Sequence, residues 1–167
     1  EQDLIVERKG LIRLLHPEKL LEKLGENQAP PNITNRVRLK VPEESGPLLA
    51  LLQKHARELR LPLVATGFSS VSRYAVMPRG DCLSVYCPRL ESLLERLPGS
   101  RADRFPNLEL LEAAEEPVYF DARPEEDFWW ASPVQVFLEL IAGDKRDREI
   151  AEQVKAYLLK NLLPAPS

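Results

Sequence analysis

The 167-residue chain has two cysteines, two histidines, one methionine and no excess of positive charge. Each shortage closes a class of explanation. Cys82 and Cys87 lie five apart in an expected strand, so they point to opposite faces of it. A disulfide between them fits poorly, and reduced thiols in a cytoplasmic protein are the simpler expectation. His16 and His55 are far apart, and neither has a second ligand at i+3 or i+4 on a suitable face. No metal and no cofactor are therefore expected. The formal net charge of −3 gives no overall electrostatic footprint for nucleic acid or an anionic membrane, although a local basic patch is compatible with it. No apolar run approaches the length of a membrane span, and no signal peptide is visible. No nucleophile elbow and no Cys–His signature appears. The chain also opens on Glu1-Gln2-Asp3-Leu4, with no initiating Met and a β-prone run directly after. The expectation is that the natural protein begins further upstream.

What the chain does have is apolar residue in quantity, 44% of the total, enough for a core without disulfide or metal support. Leu4 to Leu15 reads as a hairpin turning at Arg8-Lys9-Gly10. Pro17 opens a helix with Leu20, Leu21 and Leu24 on one side, and Gly25 is expected to close it. Asn27 to Asn35 carries Pro30-Pro31 and reads as a linker. Val37, Leu39 and Val41 then alternate with Arg36, Arg38 and Lys40, which predicts a strand with one buried and one basic face. A helix follows from Gly46 to about Arg60, with Leu48, Leu49, Leu51, Leu52, Ala56 and Leu59 inward.

Further strands are expected at 63–66, 82–87, 108–111 and 118–120, and a helix at 90–97. Ser132-Pro133 marks the start of a helix to Ile141, and 147–163 is a last amphipathic helix. The interleaving is irregular. It predicts an α+β class with a mixed sheet and packed helices rather than a doubly wound fold. The organisation expected is a hairpin–helix unit over 1–26 and a body over 31–163.

Chemistry-bearing residues are sparse, and no catalytic residue is assigned. Ser69 and Ser70 follow a strand and Gly67, so their backbone N–H groups could hold an anion; a sharp turn permitted by Gly67 is the plainer reading. Nucleotidyltransferase-fold enzymes place two carboxylates one residue apart on the strand after such a turn, to hold metal ions. Here Asp81 stands first and Leu83 stands where the second belongs, so a divergent enzyme of that fold is an alternative only.

Glu115-Glu116 and Glu125-Glu126-Asp127 border Pro117 and Pro124 and read as a solvated acidic surface. Together with Trp129 and Trp130 they make a candidate partner-binding region through Glu125 and Glu126. Adjacent tryptophans cannot share a face, so one is expected in the core and one outside or against an arginine. Arg8, Lys9 and Arg13 cluster on the first hairpin and are the candidate nucleic-acid contacts.

Four segments resemble the AbiEi-like antitoxins, transcriptional regulators of type IV toxin–antitoxin systems. They are Gly10 to Leu21, Leu63-Val64-Ala65-Thr66-Gly67-Phe68-Ser69-Ser70, Cys82 to Cys87, and Trp130-Ala131-Ser132-Pro133-Val134-Gln135-Val136-Phe137-Leu138-Glu139-Leu140. The resemblance implies that residues 1 to about 24 are the wing hairpin and exit helix of a winged helix-turn-helix. The operator-reading part would lie upstream. It further implies a repressor of its own operon that opposes a nucleotidyltransferase-like toxin and is not itself an enzyme. Its partners would be operator DNA, through the missing N-terminal domain, with the toxin or a second copy as further candidates; no membrane is implied. A non-enzymatic protein-interaction domain is a further alternative.

Overall fold

The computed structural model describes residues 3–76, 80, 82–114, 116–125 and 127–162. It has an α+β fold: an N-terminal hairpin, a helix, and a seven-stranded mixed sheet packed with helices.

The hairpin pairs β1 (Ile5–Arg8) with β2 (Leu11–Leu14) as a separate two-stranded sheet. Lys9 and Gly10 both have positive φ, 52° and 76°, the backbone that a tight two-residue turn needs. Helix α1 (Pro17–Asn27) begins on its proline, as expected, but runs through Gly25. Gly25 is a contact residue instead of a terminator: a Cβ there would lie 3.2 Å from Ile141 Cδ1. Leu21 of α1 is buried among residues of the last two helices.

The large sheet is assembled from β3 (Asn35–Lys40), β4 (Val64–Thr66), β5 (Leu83–Cys87), β6 (Ser100–Arg101), β7 (Leu108–Glu112), β8 (Arg123–Glu125) and β9 (Phe128–Trp130). Their spatial order is β6-β3-β7-β5-β4-β9-β8. The β4/β9 and β5/β7 pairs are parallel and the others antiparallel. Helices α2 (Ser45–Leu59) and α4 (Leu90–Leu94) pack Leu48, Leu52, Leu90 and Leu93 on one face of this sheet. There they meet Val37, Leu39, Ala65, Val85, Cys87, Leu108 and Leu110, every second residue of four strands. The alternation follows from the two-residue period of the strand.

The other face is covered differently. Helices α3 (Phe68–Val71), α5 (Pro133–Ile141) and α6 (Lys145–Leu162) bury Val64 with Val71, Val136, Phe137, Ile150 and Val154. A smaller cluster of Tyr86, Leu111, Ala113 and Val118 continues beside it. Helix α5 starts where the sequence places it, since the Ser132 side chain accepts a hydrogen bond from Gln135 N–H at 3.1 Å.

Three expectations need correction. Residues 118–120 form no strand: Glu116–Val118 is a 3₁₀ turn, to which Pro117 contributes a helical φ and no donor. Helix α4 stops at Leu94, three residues early. The hairpin β8–β9 was not expected because Pro124 lies in β8; β8 is the sheet's edge strand, where a missing N–H costs no ladder bond. Among the described residues no helix is long and apolar enough to cross a membrane.

Cys82 and Cys87 are free. Burial raises the thiol pKa of both and pushes Cys87 up to about 11. Native protein at neutral pH is expected to react slowly with iodoacetamide, with Cys87 fast only after urea unfolding; mass spectrometry of labelled peptides checks this.

Two further measurements test the packing. A Cβ on Gly99 would lie 2.6 Å from the Lys40 carbonyl oxygen at φ +121°, whereas Gly46 faces open space. Gly99→Ala should cost more than about 2 kcal/mol in urea unfolding, and Gly46→Ala should cost nothing or stabilise by about 0.5 kcal/mol. Tyr74 donates to the Ala131 carbonyl at 2.8 Å, and burial pushes its pKa up to about 12. Its folded-state pKa is therefore above the unfolded one, so its contribution is complete below about pH 10 and is lost as pH rises toward about 12. Alkaline unfolding should begin in that window, and Tyr74→Phe should flatten it, as read by circular dichroism.

Candidate functional site: a polar row across the open sheet face

Strand register brings four residues into one line on the incompletely covered face. Thr66 pairs with Ser84, Ser84 with Glu109, and Glu109 with Arg38. The neighbouring line, two residues along each strand, is Val64, Tyr86, Leu111 and Arg36. The first line is polar across all four strands. The second is largely apolar: Val64 lies under the helices, Tyr86 and Leu111 pack with Val118 of the 3₁₀ turn, and Arg36 is half-exposed.

Two hydrogen-bond systems share the polar row. At one end Glu109 accepts from Ser84 Oγ at 3.1 Å, Arg38 Nε at 3.0 Å and Arg36 Nη1 at 3.3 Å. Its side chain is 14% exposed, against 53% and 50% for Arg36 and Arg38. The hydrogen bond and charge of Glu109 raise the Arg38 pKa further. Both guanidinium groups are thus aimed by one carboxylate while half of each still meets solvent.

At the other end Glu139, from the last turn of α5, accepts from Thr66 Oγ1 at 2.7 and 2.8 Å, Tyr86 OH at 2.7 Å and Gln135 Nε2 at 3.0 Å. Thr66 is buried, and burial followed by the Glu139 charge raises the Tyr86 pKa. Among the described residues no cation pairs with Glu139; its charge is met by neutral donors.

Gly67 joins the two systems. It follows Thr66 directly, has φ +62°, and a Cβ there would sit 3.4 Å from Ser84 Oγ. The turn therefore approaches the row as closely as a glycine allows. The anion reading of this turn is weakened at Ser70. Its N–H bonds the Gly67 carbonyl and its hydroxyl donates to Ala65 O at 2.6 Å. Ser69 Oγ is oriented toward Cys82 O at 3.5 Å. Asp81 lies outside the described residues.

The structure was compared with known proteins. No family model matches the chain, and no curated protein matches it. Among the solved structures that are similar to it are these two. One is ANT(2")-Ia in complex with adenylyl-2"-tobramycin, 13% identical, covering 70% of this chain and 91% of that one, with a TM-score of 0.47. The other is the Megavirus polyadenylate synthase, 10% identical, covering 95% of this chain and 45% of that one, with a TM-score of 0.41. Both are nucleotidyltransferase-fold enzymes. The expected antitoxin-type regulator is overturned by this comparison, and so is the expectation that the chain is not an enzyme. Likenesses at these scores carry no residue role and no substrate across.

The metal pair of that fold does not fit the row. Glu109 is one carboxylate already held by two arginines, and the described residues contain no group of three or more ligating side chains.

The other candidate residues lie elsewhere. Arg8, Lys9 and Arg13 are exposed on the separate hairpin sheet, off the sheet that carries the row. Trp130 is buried and Trp129 is 52% exposed, which is the division expected of neighbours in a strand. Arg73 Cζ lies 3.4 Å from the Trp130 ring centroid, and its guanidinium pairs with Glu125. Glu126 lies outside the described residues. Ser84, Glu109, Gln135 and Glu139 were not singled out from the sequence. The one available signal was the basic alternation of β3; the pairing partner appears only with the register.

Glu139→Ala is expected to lower stability by about 1–3 kcal/mol, because the buried Thr66 and Tyr86 hydroxyls lose their acceptor. Urea unfolding of this variant beside the Thr66→Val, Glu139→Ala pair checks it: the pair should cost less than the sum of the single changes.

Proposed function

We propose that the chain is a divergent nucleotidyltransferase-fold enzyme that holds the phosphate groups of a nucleotide on the polar row, through Arg36 and Arg38. The observation that carries this reading is the arrangement of Ser84, Arg38 and Arg36 around Glu109, with both arginine side chains half-exposed. Planar guanidinium groups match phosphate oxygens in geometry and charge. Their common partner fixes their direction before a ligand arrives, which reduces the ordering cost of binding. Gly67 brings the turn after β4 into close approach to Ser84, the neutral donor to Glu109.

Phosphoryl transfer needs positive charge where negative charge develops, and arginine supplies it as a metal ion does. With a single carboxylate on the row, the guanidinium groups carry that task. Ser84 and Glu109 orient them. The uncovered side of the row is where an acceptor group can reach the phosphate.

The reading makes a direct prediction. Nucleoside triphosphates should raise the melting temperature and give a saturable calorimetric titration without Mg²⁺. The Arg36→Ala, Arg38→Ala pair should weaken binding by at least about tenfold, with unchanged circular dichroism. Gly67→Val should weaken it as well. Release of pyrophosphate in the presence of hydroxyl- or amine-bearing acceptors measures the transfer step. The absence of any thermal shift with all four triphosphates, with and without Mg²⁺, sinks the proposal.

A further inference from the structure

A second groove lies at the opposite end of β4 from Gly67. Its floor is Leu61 to Val64, and its volume is about 480 Å³. Its walls come from three places: the last turn of α2 with Arg57 and Arg60, the turn after the 3₁₀ segment with Asp121, and the β8–β9 hairpin with Asp127 and Trp129.

The polar groups here are differently placed from those of the row. Among the described residues the guanidinium groups of Arg57 and Arg60 and the carboxylate of Asp127 have no hydrogen-bond or ion-pair partner. Asp121 pairs with Arg123 at 3.2 Å. Trp129 is half-exposed, while its strand neighbours Phe128 and Trp130 are buried. Arg60, Asp121 and Asp127 have φ of 52°, 51° and 62°, three of the five non-glycine residues with positive φ among the described residues. That backbone costs free energy at each position. Arg60 recovers some of it as the cap of α2, its N–H bonding Ala56 O and Arg57 O. Gln53 Nε2 donates to the Asp127 carbonyl and ties the hairpin to α2. The α2 cap and the Gln53 bond thus hold the walls in place, and among the described residues the charged ends of Arg57, Arg60 and Asp127 have no partner there.

We infer that this groove binds a nucleotide by its base and its phosphate together. An indole face accepts a planar ring by stacking. Two unpaired guanidinium groups take a phosphate. A free carboxylate accepts from a ring N–H or an amino group of the base. A bare anion makes no use of Trp129, and a long polyanion laid through the groove meets both aspartates. The chemistry fits one phosphorylated nucleoside, either free or as the end of a strand. It is independent of the site proposed on the row, since it uses none of the same residues.

The chain has two tryptophans, one of them buried, so quenching of the exposed indole reports on this groove directly. The full chain is titrated with each of the four nucleoside monophosphates, with a 5′-phosphorylated tetranucleotide, and with inorganic phosphate. Saturable quenching by at least one nucleotide is expected, with none by phosphate alone. The Arg57→Ala, Arg60→Ala pair should weaken it by about tenfold or more. Arg38→Ala should leave it unchanged, and Trp129→Leu should abolish the signal and weaken binding by calorimetry. Quenching by monophosphates identifies the free nucleotide as ligand; quenching by the tetranucleotide alone identifies a strand end. No saturable quenching by any nucleotide overturns the inference. So does nucleotide binding that survives loss of Arg57 and Arg60 but is lost with Arg38, which places the ligand on the row instead.

Discussion

Helix α5 lies across β4, and the carboxylate at its last turn accepts hydrogen bonds from two strands at once. Glu139 reaches Thr66 on β4 and Tyr86 on β5, and Gln135 one turn earlier closes the set. Helix, strands and the Gly67 turn are thereby fixed in one geometry. A half-buried carboxylate without donors is costly, so the contact has little freedom to slide. Beyond α5 on that face, Arg38 and Arg36 are half-exposed, while Glu109 between them and Ser84 is largely buried.

The opposite face has no such choice. Leu48 and Leu52 from α2 and Leu90 and Leu93 from α4 meet an uninterrupted apolar surface drawn from β3, β7, β5 and β4. A sheet sealed on one side and half open on the other offers one place for chemistry. Within it, charge is organised by pairing. Two arginines on alternate residues of β3 repel each other, and Glu109 on the adjacent strand offsets both. Exposed pairs of this kind add little stability. What they add here is direction: two guanidinium groups held at a defined place over one carboxylate.

Much of the architecture was legible in advance. Alternation of Val37 and Leu39 with Arg36 and Arg38 specified β3 and its basic face. Ser132-Pro133 specified the start of α5, and Lys9-Gly10 the turn of the first hairpin. The errors came where local signals conflict with context. Pro124 discouraged a strand that the sheet edge tolerates, and Gly25 looked like a helix end when its role is close contact with Ile141. The functional reading erred for a related reason. Short motifs spread along the chain suggested a regulator, yet the residues of those motifs, Thr66, Tyr86, Gln135 and Glu139, converge on one structural carboxylate cluster.

The sequence by itself determined most of the longer elements, the apolar face of β3 and the absence of an overall basic charge, because periodicity and composition are local properties. The tertiary structure alone decided which polar residues meet. Glu109 reads as one carboxylate among many along an acidic stretch until the parallel pairing of β5 with β7 sets it beside Ser84, and the antiparallel pairing of β3 sets it beside Arg38. Register joins residues 25 and 71 positions apart, and no spacing in a linear pattern encodes that. Trp129 follows the same rule. That one of the two neighbouring tryptophans is exposed was foreseeable, but which one, and that it lines a groove with Arg57 and Arg60, depends on where α2 ends against the edge hairpin.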